Sequence, residues 1–124
     1  MSKQYDDAKY GVERTLYFPT ATLSAAAANV GSYYATEDIL ITEIGLMCST
    51  AVSGGPGTCS IVLKEGSTVL GTLTIPTGTA AGSVVRTTTL TGNAISNTDT
   101  LIIATLLTTT AGAGTPYLKY KSRF

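Results

Sequence analysis

Apolar and polar residues alternate along most of the chain, which is the pattern of half-buried β-strands. Residues 39–49 show it most clearly, with Leu40, Thr42, Ile44, Leu46 and Cys48 on one parity. Successive side chains of a strand point to opposite faces, so this parity predicts a sheet with one face on a core. Similar runs predict strands at 59–64, 69–75, 83–91, 101–109 and 117–124, with weaker candidates at 15–19 and 32–36.

Turn-forming residues separate these runs. Glycine and proline at 53–57 and 76–78, and Gly66 within 65–67, predict tight turns, because glycine accepts positive φ and proline cannot continue a ladder. The glycines of 111–114 predict a flexible loop. Only residues 23–29, with their run of alanines, have helical propensity, and an isolated helix of that length is marginal.

The spacing of these elements predicts the fold class. Six to eight short strands about ten residues apart are typical of an antiparallel β-sandwich or jelly roll. The length of 124 residues suits one domain. We therefore predict an all-β protein with an extended arm at residues 1–14 and a single β-sandwich domain at residues 15–124.

Composition excludes several functions. Eight basic and eight acidic residues cancel, and only 13% of residues are charged, so nothing favours non-specific binding to nucleic acid or to a membrane surface. The chain has no histidine, which removes the usual Ser–His and Cys–His pairs and histidine-based zinc sites. We expect no enzyme activity and no cofactor.

Acidic residues in the predicted loops are the remaining candidates for a metal site. Glu37, Asp38 and Asp99 could offer oxygen atoms to calcium. No loop has the regularly spaced aspartates of a known calcium motif. Solvated surface carboxylates are therefore the expectation, and we predict no metal.

The charges that are present lie mostly at the two ends. Nine of the sixteen fall in residues 1–14 and 117–124, and most of the seven tyrosines lie near the same ends. Tyrosine is enriched at interfaces, so these segments either contact a partner or pack on each other as terminal strands, with the charges preventing edge pairing. The candidate partner contacts are Tyr5, Asp6, Asp7, Lys9, Tyr10, Glu13, Arg14, Lys119, Tyr120, Lys121 and Arg123.

Two cysteines, Cys48 and Cys59, flank the glycine-rich turn. They could face each other across a hairpin, close enough for a disulfide, or be two small buried side chains. The first residues lack the apolar stretch of a secretory leader, which predicts either synthesis in the cytoplasm or a leader that was removed and replaced by a new Met. Without an export signal, free thiols are favoured.

Several segments together resemble a known family. They are 41–51 (ITEIGLMCSTA), 62–66 (VLKEG), 70–73 (LGTL), 79–83 (TAAGS) and 94–103 (AISNTDTLII). Over about residues 39–108 the chain is similar to the Thr/Ala/Gly-rich decoration (cement) proteins and head-fibre domains of tailed bacteriophages.

The resemblance implies a structural virion protein without catalytic residues. Such a protein binds the major capsid protein on the outer surface of the shell, often as a trimer, and stabilises the lattice. The alternative is a receptor- or carbohydrate-binding module of a tail fibre or surface protein, although the absence of tryptophan weighs against sugar stacking.

Overall fold

The computed structural model describes residues 12–23, 28–53, 59–106 and 111–122, and no residue in these ranges lies in a helix. Ten β-segments follow one another along the chain. They are β1 (Arg14–Tyr17), β2 (Ala21–Thr22), β3 (Ala28–Tyr34), β4 (Ile39–Ser53), β5 (Cys59–Glu65), β6 (Thr68–Ile75), β7 (Val84–Thr87), β8 (Ala94–Ile95), β9 (Thr100–Leu106) and β10 (Ala111–Ser122).

The segments form two antiparallel sheets. The first has the order β1-β10-β4-β7, in which β2 continues β1 along β10 and β8 continues β7 along β4. The second has the order β3-β9-β5-β6. With the two interrupted strands each counted once, the described residues form four strands in each sheet.

The strand order is that of a jelly roll. Pairs are nested along the chain: β5 with β6, then β4 with β7 and β8, then β3 with β9, and finally β1 and β2 with β10. In a jelly roll, this nested set of pairs folds over to give two sheets. Here β4 pairs with β10 in the first sheet, and β5 pairs with β9 in the second. The predicted all-β antiparallel fold is confirmed, and its jelly-roll alternative describes the topology.

The core lies between the two sheets, and its described members are apolar residues and the two cysteines. Each sheet contributes alternate residues, because one side of every strand faces inward. The bulkiest fully buried side chains are Leu23, Ile39, Ile41, Ile44, Leu46, Ile61, Leu63, Ile75, Ile95, Leu101, Ile103 and Leu118. The apolar strand predicted at 101–109 is β9, which is central in its sheet as far as Leu106.

The parity predicted for 39–49 is wrong in its first half. Ile39 and Ile41 are fully buried, whereas Leu40 is not. The reason is a β-bulge: Glu43 lies opposite Lys119 and Ile41 lies opposite Tyr120, which leaves Thr42 unpaired. An extra residue in a strand reverses the alternation beyond it.

Three further predictions need correction. The predicted loop at 111–114 is the first part of β10. The strand predicted at 83–91 ends at Thr87, because the chain then leaves the sheet and Leu90 packs against the core beside Gly71. Residues 23–29 have helical propensity, but the last two of them, Ala28 and Asn29, belong to strand β3 and pair with β9.

The cysteines do not face each other across a hairpin. Cys48 pairs with Gly114 in the first sheet, and Cys59 pairs with Ile75 in the second. Both are buried free thiols. The Cys48 thiol donates to the carbonyl oxygen of Thr50 at 3.1 Å, and burial raises the pKa of the Cys59 thiol.

Candidate functional site

The fold brings several of the predicted contact residues together. Arg14 lies opposite Tyr120 because β1 pairs with β10, and Glu13 accepts a hydrogen bond from the Thr42 hydroxyl at 2.5 Å. Lys119 and Lys121 also lie on β10. The other predicted contacts lie outside the described residues: Tyr5, Asp6, Asp7, Lys9, Tyr10 and Arg123.

These residues do not all share one face. Leu118 is fully buried, so alternation places Lys119 and Lys121 on the outer face of the first sheet. Tyr120 is half-buried and faces inward, with its ring centroid 6.2 Å from that of Tyr33. Arg14 is part of β1 and pairs with β10, so residue 14 already belongs to the sheet.

The outer face of the first sheet carries a shallow apolar pocket of about 190 Å³. Tyr17, Met47 and Val84 leave 58%, 38% and 53% of their surface exposed there. We call the six residues that line the pocket the outer patch. They are Thr15, Tyr17, Met47, Val84, Tyr117 and Lys119.

The register of four strands builds this patch. Tyr17 lies opposite Tyr117, Tyr117 opposite Gly45, and Gly45 opposite Arg86, so these four residues form one row across the sheet. The ring of Tyr117 lies over Gly45, where a Cβ atom would collide with the ring. The absent side chain of Gly45 therefore lets a tyrosine lie flat as the floor of the patch.

A buried hydrogen bond fixes that floor. The Tyr117 hydroxyl donates to Oε2 of Glu43 at 2.7 Å, and Glu43 is only 8% exposed. Burial raises the pKa of Tyr117 to about 12, with further contributions from the bond to Glu43 and from its charge, against a lowering by Arg86. The ring of Tyr17 stands 6.2 Å away at 50°. The Tyr117 floor of the patch is thus held in place.

The burial of the Tyr117 hydroxyl, together with this hydrogen bond, makes stability depend on alkaline pH. The folded state raises the pKa of Tyr117 from 10.0 to about 12, so it favours the protonated hydroxyl. The resulting stabilisation, about 2–3 kcal/mol, is complete below pH 10 and is lost as the pH rises towards 12. Urea denaturation at a series of pH values measures it. We expect Tyr117→Phe to abolish most of this alkaline loss, and equal losses in both proteins would contradict the assignment.

The acidic residues at the end of the sandwich beside the β3–β4 loop bind backbone and hydroxyl groups. Asp38 accepts from the amide of Asn97 at 2.7 Å, Asp99 from the amide of Ser96 at 3.2 Å, and Glu37 from the hydroxyl of Ser122. Within the described ranges no three acidic or cysteine side chains are grouped to hold a metal. The same ranges contain no helix of a length and apolarity that would span a membrane.

No protein-family model and no curated protein sequence matches the chain. One solved structure with a similar fold is a Bacillus protein of the endospore appendages, which form a novel family of disulfide-linked pili. The two chains are 20% identical, with a TM-score of 0.50, and the match covers 91% of this chain and 88% of that one. The two proteins share a fold.

A second solved structure, of the infectious bursal disease virus Gx strain, is similar at 12% identity with a TM-score of 0.43. The match covers 91% of this chain but spans only 33% of that one. At this level of similarity neither structure assigns an activity.

Sequence reasoning missed most of the outer patch. It named Lys119 as a contact candidate but not the other five residues, Thr15, Tyr17, Met47, Val84 and Tyr117. A signal was present at Met47, which is a large apolar residue on the polar parity of β4. The grouping of these residues depends on the register of four strands that are distant in sequence, and alternation within one strand does not reveal it.

Proposed function

We propose that the protein is a structural component of a tailed-bacteriophage virion that binds the outer surface of the capsid and stabilises its lattice. The observation that carries this proposal is the outer patch, an exposed apolar pocket on a rigid sheet. Contiguous exposed apolar surface marks interaction sites. The resemblance over residues 39–108 gives the kind of partner, and jelly rolls are common in viral structural proteins.

The proposal assigns the protein a binding function and no catalysis. The partner is the major capsid protein, the site of action is the exterior of the virion, and the working form is a homo-oligomer, most simply a trimer. Low surface charge with zero net charge favours association between copies.

A shell-binding experiment tests the proposal with a matched pair of variants. Purified protein is added to expanded, undecorated phage shells, and both the bound copies and the disruption temperature of the shells are measured. We expect saturable binding and a higher disruption temperature. Val84→Ser in the outer patch should weaken binding at least tenfold, because it removes an apolar contact from the pocket.

Val69→Ser is the control, since Val69 is also an exposed valine, 46% accessible, but lies in the other sheet. Equal binding by the two variants would remove the outer patch from the proposal. Failure of the wild-type protein to bind shells at micromolar concentrations would contradict the capsid function itself.

The second candidate is a carbohydrate-binding module, and the exposed ring of Tyr17 beside an open pocket favours it, because sugars stack on tyrosine. A glycan array read with wild type and Tyr17→Ser tests it. Disulfide-linked pili, as formed by the similar Bacillus protein, are a weaker model, since Cys48 and Cys59 are both buried.

A further inference from the structure

Positive charge surrounds the outer patch. Lys119 forms part of the pocket wall, Lys121 follows two residues later on the same face of β10, and exposed Arg86 ends the row that contains Tyr117. Among the described residues two carboxylates lie on this side, and both accept hydrogen bonds within the protein. Glu43 is buried and bonded to the Tyr117 hydroxyl, and Glu13 accepts from Thr42. Three cations against two carboxylates leave the described part of this face with a net positive charge.

The size of the pocket fits a single side chain. Its volume of about 190 Å³ lies below the range of roughly 300–1,000 Å³ that holds drug-sized ligands. Its exposed walls are Tyr17, Met47 and Val84, and these offer apolar contact more than hydrogen bonds. A large apolar side chain inserted into such a pocket is the usual anchor of a protein interface.

Charge also narrows the choice of partner. Two copies joined through the same face would oppose two surfaces of net positive charge, which is unfavourable. A nucleic acid would meet only three cations on a chain of zero net charge, which gives weak and strongly salt-dependent binding. An acidic protein segment satisfies both the apolar pocket and its cationic surroundings.

We infer that the outer patch binds an acidic protein segment by seating one large apolar side chain of that segment among Tyr17, Met47 and Val84. Carboxylates beside the anchor then meet Lys119, Lys121 and Arg86. This inference rests on the proposed function in one respect, because the capsid protein would supply the segment. Electrostatic attraction accelerates the encounter, and the anchor determines the residence time.

A synthetic peptide tests the inference without any phage component. The probe has one phenylalanine flanked by three glutamates on each side, and binding to the full chain is followed by amide chemical shifts at low and physiological salt. We expect saturable shifts centred on Tyr17, Val84 and Lys119. Replacing the phenylalanine of the peptide with serine, or Lys119→Glu in the protein, should weaken binding about tenfold.

Lys64→Glu is the control variant, because Lys64 is a cation of the second sheet, and its binding should stay close to wild type. An absence of shifts at millimolar peptide, or equal binding by a single-stranded oligonucleotide, would overturn the inference. Shell binding without peptide binding would leave the capsid function standing and remove this inference. Peptide binding without shell binding would leave this inference standing and remove the capsid function.

Discussion

Replacing Gly114 with alanine is expected to destabilise the protein by about 2–3 kcal/mol. Gly114 lies opposite Cys48 in the ladder between β10 and β4. A Cβ atom there would be 2.7 Å from the carbonyl oxygen of Met47 and 2.8 Å from the side chain of Leu46. Neither neighbour can move freely, since one is backbone and the other is a fully buried core residue. The longest ladder of the first sheet must therefore shift, and such overpacking is costly.

Urea denaturation of the variant measures the loss, and Gly66→Ala is the matched control. Gly66 occupies the turn between β5 and β6 at φ +62°, with nothing within 4 Å of an added Cβ atom. Its replacement should cost about 1 kcal/mol through backbone strain alone. If Gly114→Ala were no more destabilising than Gly66→Ala, the close approach of β10 to β4 would be wrong.

Gly114 also shows why the predicted loop at 111–114 is a strand. Glycine within a strand often marks a bulge or the close approach of another backbone, and a single sequence does not distinguish these causes from a flexible loop. The alternation in Tyr117–Ser122 was visible because buried Leu118 stands between outward-facing residues. The start of β10 has no such contrast, and its position depends on β2 and β4.

The candidate site could be predicted only in part for a similar reason. Alternation placed Lys119 and Lys121 on one face of a terminal strand, and the structure has them there. The pocket itself requires that β1, β10, β4 and β7 lie side by side, and these contacts join residues as far apart as Tyr17 and Tyr117. The cysteines show the opposite error, because nearness in sequence suggested a hairpin where the chain crosses between sheets.

Single-residue deletions in β4 should distinguish the bulge from the regular strand. Removing Thr42 restores strict alternation, with Ile41 and Ile44 still directed inward and Glu43 still directed outward. We expect this variant to fold, with a loss of about 1–2 kcal/mol from the hydrogen bonds of Thr42 to Glu13 and to the carbonyl oxygen of Lys119.

Deleting Met47 is the matched change, because it also removes one residue from the part of β4 that pairs with β10. The next bulge lies at Ser49, because Gly114 pairs with Cys48 and Ala113 with Thr50, so the shift would end there. Cys48 would turn to the solvent and Ser49 would turn to the core. We expect a loss of about 2–4 kcal/mol, larger than that of the Thr42 deletion, because Cys48 leaves the core and a serine hydroxyl enters it. Circular dichroism and urea denaturation measure the folding and the stability of both variants. Comparable stability would mean that Thr42 is not a bulge. A folded protein without Thr42 should also retain the hydrogen bond between Tyr117 and Glu43, because both residues keep their face of the sheet.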